Sequence, residues 1–282
     1  MFRLALLSCL LCLARAVGWD TVTPLDAYIA RPDPHYKWQF IAQPSSGDDS
    51  VNSYVVNMTS QKWKDESVLD RPIWWHYLII NIPKNLQVKD AATLFVGGGH
   101  NSGSRIPTPG NDQFAALAVS LAKKSGAVTG YLKQIPNQPI VFKDDPLQKS
   151  RSEDSLIAYT WRRFIEDTSD PEILLRMPMT KAGVRAMDTM TDFCKQKDVT
   201  NDISEFLIGG ASKRGWTAWT LAAVDKRVIG LVPMVMDLVN MQPPYRTENI
   251  PTYLDNPNMT KMADIIDPYC KSVGASNMSP DN

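Results

Sequence analysis

The chain has 282 residues, of which 44% are hydrophobic and 21% are charged. These values are typical of soluble globular proteins and exclude a disordered, collagen-like or coiled-coil chain, and the length suits one large α/β domain. With 30 basic and 30 acidic residues the formal net charge is +0, so the chain offers no basic field for nucleic acid or an anionic membrane. We therefore expect no nucleic-acid partner.

Residues 1–16 have the pattern of a secretory signal peptide. Met1–Arg3 is a short basic start, residues 4–14 form an apolar run, and Ala14–Ala16 matches an A-x-A cleavage site. This apolar run reaches about half of the roughly 20 residues that a membrane-spanning helix needs. The sequence predicts a secreted, extracellular protein that is cleaved after Ala16 and has no membrane span.

Beyond this leader, strand and helix patterns alternate. The predicted elements, in chain order, are strands at 75–82 and 92–96, a helix at 113–124, a strand at 127–131, helices at 153–166 and 182–196, a strand at 205–208, a helix at 212–224 and a strand at 228–236. The last run is nearly all apolar, which is typical of a strand buried on both faces. The pattern predicts one α/β domain over 17–270, with a mostly parallel sheet covered by helices on both faces, and a polar tail over 271–282.

The remaining cysteines and the sequons bear on export. Cys9 and Cys12 lie in the leader, so their C-x-x-C spacing indicates neither a zinc nor a redox site. Cys194 and Cys270 either form a disulfide in an oxidising compartment or remain two buried thiols. N-glycosylation sequons occur at Asn57, Asn258 and Asn277. We expect no metal site and no cofactor.

Ser212 is the candidate nucleophile. It lies where a predicted buried strand turns sharply into a helix, which is the context of a nucleophile elbow. An elbow requires a small residue two positions before the serine and usually another two positions after it. Gly210 meets the first requirement, whereas Arg214 occupies the second position and Gly215 follows it. The motif is thus a G-x-S-x-x-G variant.

Other parts of an acyl-transfer site are only partly present. Oxyanion donors come from the amide after the nucleophile and from a glycine loop after an earlier strand, which indicates Lys213, Gly98 and Gly99. A plain tight turn is the alternative explanation for those glycines. Asp237, after the last predicted strand, is a weak candidate acid or else a strand-end cap.

No histidine follows Ser212, although the usual order in this fold is serine, acid, histidine. The three histidines are His35, His76 and His100. We expect His76 to be a packed or hydrogen-bonded sheet residue. His100 ends the glycine loop and suits a polar loop role or an oxyanion helper better than a general base.

These residues lie within a longer resemblance. The chain resembles the PhoPQ-activated pathogenicity-related family, which includes an autocrine proliferation repressor. The matching segments are Ser60–Trp63, Arg71–His76, Glu153–Trp161, Pro178–Ala182 and Gly209–Trp219. The resemblance implies an α/β-hydrolase-like fold with Ser212 at the nucleophile position and Arg214 as a shared feature. It also implies that this chain is C-terminally truncated relative to the family, so that the acid and base cannot be carried over.

Three functions remain open at this point. The first is a secreted, glycosylated, non-catalytic factor that binds an extracellular or cell-surface partner and signals, as the resemblance implies. The second is a secreted serine hydrolase, an esterase or amidase, whose acid and base lie in a missing C-terminal part. The third is an extracellular α/β protein with a different partner, for example matrix. The sequence identifies neither substrate nor receptor.

Overall fold

The computed structural model describes residues 22–102, 105–200 and 202–236. The predicted signal peptide lies outside these ranges, as do Asp237, Asn258, Cys270 and Asn277. The strands are β1 (Lys37–Ala42), β2 (Val51–Lys62), β3 (Ile73–Pro83), β4 (Val88–Val96), β5 (Ala127–Leu132), β6 (Ile140–Val141), β7 (Ser150–Arg151), β8 (Glu205–Ala211) and β9 (Val228–Met234). The α-helices are α1 (Pro24–Ala30), α2 (Gln113–Ser125), α3 (Glu153–Glu166), α4 (Arg176–Gln196) and α5 (Lys213–Val224).

Seven strands form the main sheet, in the order β1-β2-β3-β5-β4-β8-β9. The first half, from β1 to the β3–β5 pair, is antiparallel, whereas β5, β4, β8 and β9 run parallel. At the end of β4, Val96 pairs with Leu132 on one side and with Gly210 on the other. Because parallel strands end at the same edge of a sheet, the glycine loop after β4 and Ser212 after β8 come together.

Helices cover both faces of the sheet. Helix α2 packs on β2, β3 and β5, whereas α4 packs on the opposite face beside α5, which lies on β8 and β9. Strand β5, at the centre, is buried along its whole length. The prediction of an α/β, α/β-hydrolase-like fold is confirmed, and its sheet is mixed, with the parallel part formed by β5, β4, β8 and β9.

Local signals explain the ends of α2. The Asp112 side chain accepts hydrogen bonds from the amides of Phe114 and Ala115, which would otherwise lack partners at the helix start. Gly126 ends the helix at φ 64°, a left-handed conformation that favours glycine. Both ends agree with the sequence-based prediction to within one residue.

The sequence pattern did not predict α1, β1 and β2, and β4 begins at Val88 rather than at 92. Two further differences have a clear physical reason. Helix α4 begins at Arg176 rather than at 182, because Pro178 lies in its first turn, where the missing N–H breaks no hydrogen bond of the helix. Strand β9 is not buried on both faces: Ile229 is 60% exposed and Val232 47%. The physical reason is position, since β9 is the outermost strand of the described sheet and pairs only with β8 there. No helix in the described ranges is both long and apolar enough to cross a membrane.

Candidate active site

Ser212 lies in a strained backbone conformation between β8 and α5. Its φ is 55° and its ψ −125°, a combination that a residue with a side chain rarely adopts and that costs about 1–3 kcal/mol. The Ser212 amide donates to the carbonyl of Met234 at 2.9 Å, which ties the turn to β9. The residue is partly exposed, and its hydroxyl does not cap α5. The sharp turn that the sequence predicts is therefore present.

The two glycines of the motif have steric explanations. A Cβ on Gly210 would lie 2.5 Å from the Arg214 carbonyl oxygen, and a Cβ on Gly215 would lie 3.1 Å from the carbonyl oxygens of both Gly210 and Met234. Helix α5 thus packs on the strand ends through position 215, one place later than in the usual elbow. This contact explains why the variant motif tolerates a large residue at 214.

Arg214 extends from the elbow to the glycine loop. Its Nε donates to the Ile135 carbonyl at 2.5 Å, and its two terminal nitrogens bind the Glu153 carboxylate at 2.9 and 2.5 Å. A Cβ on Gly98 would lie 2.5 Å from the Arg214 guanidinium, so a side chain there would have to displace Arg214 from its present position. Packing against Arg214 thereby accounts for one glycine of the loop.

The glycine loop is held by hydrogen bonds to neighbouring backbone. The Gly97 amide donates to Leu132, and the carbonyls of Gly97 and Gly98 accept from the amides of Ile135 and Gln134. Gly99 has a φ of 138°, which favours glycine. In the described part of the chain, no acceptor pairs with the amides of the three predicted oxyanion donors, Gly98, Gly99 and Lys213. Their role as oxyanion donors stays a prediction.

In the described structure, none of the three histidines forms a hydrogen bond with Ser212. His76 is fully buried in β3, where its Nε2 lies 2.9 Å from the Ser60 hydroxyl and its Nδ1 lies 3.1 Å from the Lys133 carbonyl. Burial lowers the pKa of His76 to about 4, so the ring is neutral at physiological pH. The expectation of a packed sheet histidine is confirmed. His100 is exposed, and His35 lies before β1 beside Asp33.

The remaining predicted sites have mixed placements. Asn57 is exposed, but it lies in the middle of β2 and not in a turn. Cys194 is fully buried in α4, and burial raises the pKa of its thiol to about 12. The disulfide with Cys270 stays a prediction because Cys270 lies outside the described residues. The same holds for Asp237 as an acid and for the sequons at Asn258 and Asn277.

A polar cleft of about 700 Å³ opens next to the glycine loop. Its lining combines one indole with carboxylate, guanidinium and amide groups from Glu66, Asp70, Arg71, Trp75, Asn101 and Asn137. Arg71 donates to the Asn101 side chain at 2.6 Å, and Asn101 in turn donates to Asn137 at 3.2 Å. No sequence signal identified this cleft, because its residues come from segments that are far apart along the chain, including the start of β3.

The chain is similar to several known proteins. The chain is 38% identical over 264 residues to autocrine proliferation repressor protein A of Dictyostelium discoideum, covering 88% of this chain and 51% of that protein. It thus spans about half the length of the curated relative it matches. Acetyl xylan esterases from Paenibacillus sp. R4 and from Thermoanaerobacterium sp. JW/SL YS485 share 13% identity with it, with TM-scores of 0.46 and 0.47 over 91% and 90% of this chain and 68% of each of theirs. A family model described as PhoPQ-activated pathogenicity-related protein matches residues 25–273, and the chain belongs to that family.

Proposed function

We propose that this chain carries the nucleophile and oxyanion parts of a serine acyl-transfer site of the esterase or amidase type. The observation that carries the proposal is the strained, partly exposed Ser212 at a strand-to-helix turn, beside a glycine loop with unpaired amides in the described structure. Strain of this kind persists only where the surroundings impose it, and it is concentrated at functional sites.

The chemistry assigns one role to each group. The Ser212 oxygen forms a bond to the carbonyl carbon of an ester or amide, and the carbonyl π pair moves to oxygen. The amides of Gly98, Gly99 and Lys213 then donate to that oxyanion. The leaving group departs with its bonding pair and takes up the proton lost by the serine. That proton needs a carrier, because a serine hydroxyl is a weak nucleophile at its free pKa.

The described structure does not identify the group that would carry the proton of Ser212. His76 is held in the sheet by its hydrogen bond to Ser60, and no histidine follows Ser212 in these 282 residues for Asp237, the weak candidate acid, to orient. Oxyanion donors and binding by themselves leave a rate of roughly 10³–10⁴ over water in hydrolases that lost their triad. We therefore expect Ser212 to react slowly in this chain, with turnover well below about 1 s⁻¹.

A second candidate is a non-catalytic factor that binds an unknown extracellular or cell-surface partner. Its support is that the related protein of Dictyostelium discoideum is called a proliferation repressor, and that no histidine bonds to Ser212 in the described structure. Both candidates share the proposal of an exported protein, with cleavage after Ala16 and glycans at Asn57, Asn258 and Asn277. Exposure of Asn57 supports the first of these glycans.

Fluorophosphonate labelling of the purified protein tests the site. We expect slow labelling that maps to Ser212 and is lost in Ser212→Ala, while Ser60→Ala labels like the wild type because Ser60 is fully buried. His100→Ala tests the remaining loop histidine. Wild-type labelling no faster than that of Ser212→Ala would overturn the acyl-transfer proposal. Equal growth effects of wild type and Ser212→Ala on cultured cells would then favour the non-catalytic factor.

A further inference from the structure

The family-like segment Glu153–Trp161 has no role in the chemistry described so far, yet its first residue is strained. Glu153 has a φ of 51°, which is uncommon for a residue with a side chain. It opens α3, and its amide donates to the Gln138 side chain at 2.8 Å. The Gln138 amide donates back to the Glu153 carboxylate at 2.5 Å. This reciprocal pair fixes both the backbone and the carboxylate of Glu153.

The Glu153 carboxylate binds the side chains of both residues that follow Ser212. Arg214 donates two hydrogen bonds to it, and the Lys213 ammonium lies 2.8 Å from its second oxygen. The Lys213 side chain is only 2% exposed, and Asp154 at 3.1 Å is its other carboxylate neighbour. A buried ammonium is costly without an anionic partner, so the position of Lys213 depends on these carboxylates.

The same contacts join the elbow to the glycine loop. Arg214, held by Glu153, donates to the Ile135 carbonyl and packs directly on Gly98. Ile135 in turn donates to the Gly97 carbonyl at 3.1 Å. The amides of Gly98 and Lys213 thus lie on two segments that the Glu153 carboxylate holds together through Arg214 and Lys213. We call this arrangement of Glu153, Arg214 and Lys213 the clamp.

From this geometry we propose that Glu153 is a positioning residue that holds the Lys213 and Gly98 amides in fixed positions relative to Ser212. The inference rests on the proposed acyl-transfer function. Glu153 acts through Arg214 and Lys213 and does not itself meet the reacting atoms. Burial opposes ionisation of Glu153, but the charges of Arg214 and Lys213 outweigh it and lower its pKa to about 2, so the clamp is ionised over the working pH range.

The test compares Glu153→Gln with Glu166→Gln, a control on the same helix whose carboxylate binds Arg162 at 2.7 Å on the surface. We expect Glu153→Gln to lower the maximal fluorophosphonate labelling rate of Ser212 by about 10- to 100-fold, because a misplacement near 1 Å costs that much. The probe concentration at half-maximal rate should change little. Glu166→Gln should match the wild type in both quantities.

Two further measurements separate positioning from folding. Arg214→Lys keeps the charge but cannot form the two-nitrogen pairing, so it should slow labelling in the same way, and the double variant should lose no more than either single one. Amide hydrogen exchange of the peptide 209–216 should speed up in Glu153→Gln at temperatures well below unfolding.

The outcomes are distinguishable. If Glu153→Gln labels as fast as Glu166→Gln, the positioning role is wrong while the acyl-transfer proposal stands. If the wild type does not label at Ser212, the acyl-transfer proposal is wrong, and the exchange data decide the clamp: faster exchange in Glu153→Gln retains it, and unchanged exchange rejects it.

Discussion

Two serines in this protein each have some, but not all, of the features of a catalytic serine. Ser60, in β2, has a histidine partner: since a carbonyl can only accept, His76 donates from Nδ1 to Lys133, and its Nε2 accepts from the Ser60 hydroxyl. That is the hydrogen bond a serine nucleophile needs, yet both side chains are fully buried. Ser212 is partly exposed, strained and near amides that have no partner in the described structure, but no histidine bonds to it there.

The difference teaches that a serine–histidine contact is no evidence of catalysis without access and strain. Ser60 belongs to an inner polar network formed by Tyr28, Ser60, Gln61, His76 and Lys181. Tyr28 donates to the Gln61 side chain at 2.6 Å, Gln61 donates to the Pro178 carbonyl at 2.7 Å, and Lys181 donates to the Tyr28 carbonyl at 3.1 Å. This network joins α1, β2, β3 and α4, so its role is stability.

The largest predicted effect concerns the elbow. Gly210→Ala should destabilise the protein by about 3 kcal/mol or more, because the new methyl group would meet backbone that cannot move away from the strained turn. Gly110→Ala is the matched control, since its Cβ would meet no atom closer than 3.9 Å. Urea unfolding measures both. Equal stabilities of the two variants would contradict the packing described for the elbow.

Because of the inner polar network, we expect the unfolding free energy to depend on pH. The pKa of His76 is about 4 in the folded protein against 6.5 as the ordinary value, so the unfolded chain binds the proton more readily. This contribution, on the order of 3 kcal/mol, is complete above pH 6.5 and is lost as the pH falls toward 4. Unfolding free energies at pH 7 and pH 4 should therefore differ less in His76→Gln than in the wild type. His100→Gln, at an exposed position, should keep the wild-type difference.

The buried serine should matter for folding. Ser60→Ala removes the donor to His76 and the acceptor of the Gln61 amide, which should lower the unfolding free energy by about 1–2 kcal/mol. Ser67→Ala, which loses only an exposed bond to Asp65, serves as the control and should change stability by less than about 0.5 kcal/mol. Thermal or urea unfolding of the two variants gives the comparison.

For the partly exposed Ser212, we expect a substitution to change the unfolding free energy in the opposite direction. Ser212→Gly should raise the unfolding free energy by about 1 kcal/mol, because relief of the positive φ outweighs the extra freedom of glycine in the unfolded chain. Ser212→Ala keeps the strain and should leave stability near that of the wild type. A loss of stability in Ser212→Gly would mean that the turn at 212 is not strained, and the contrast with Ser60 would fail.

Much of the frame was determined by the sequence alone. The helix that stops before Gly126, the elbow at Ser212 and the strand that leads into the glycine loop all follow from turn stereochemistry and periodicity. These signals act within a few residues, so they can be read locally. The position of Ser212 at the shared edge of parallel strands followed from the same alternation.

What only the tertiary structure decided are the long-range pairings and the burial. Arg214 meets Glu153 across 61 residues of sequence, and Ser60 meets His76 through the register of β2 and β3. Strand β9 carries an apolar pattern typical of a central strand but lies at the edge of the described sheet. Apolar patterns, charge pairs and hydrogen-bond partners depend on what the rest of the chain brings alongside, because burial and ion pairing are properties of neighbours in space and not of spacing along the chain.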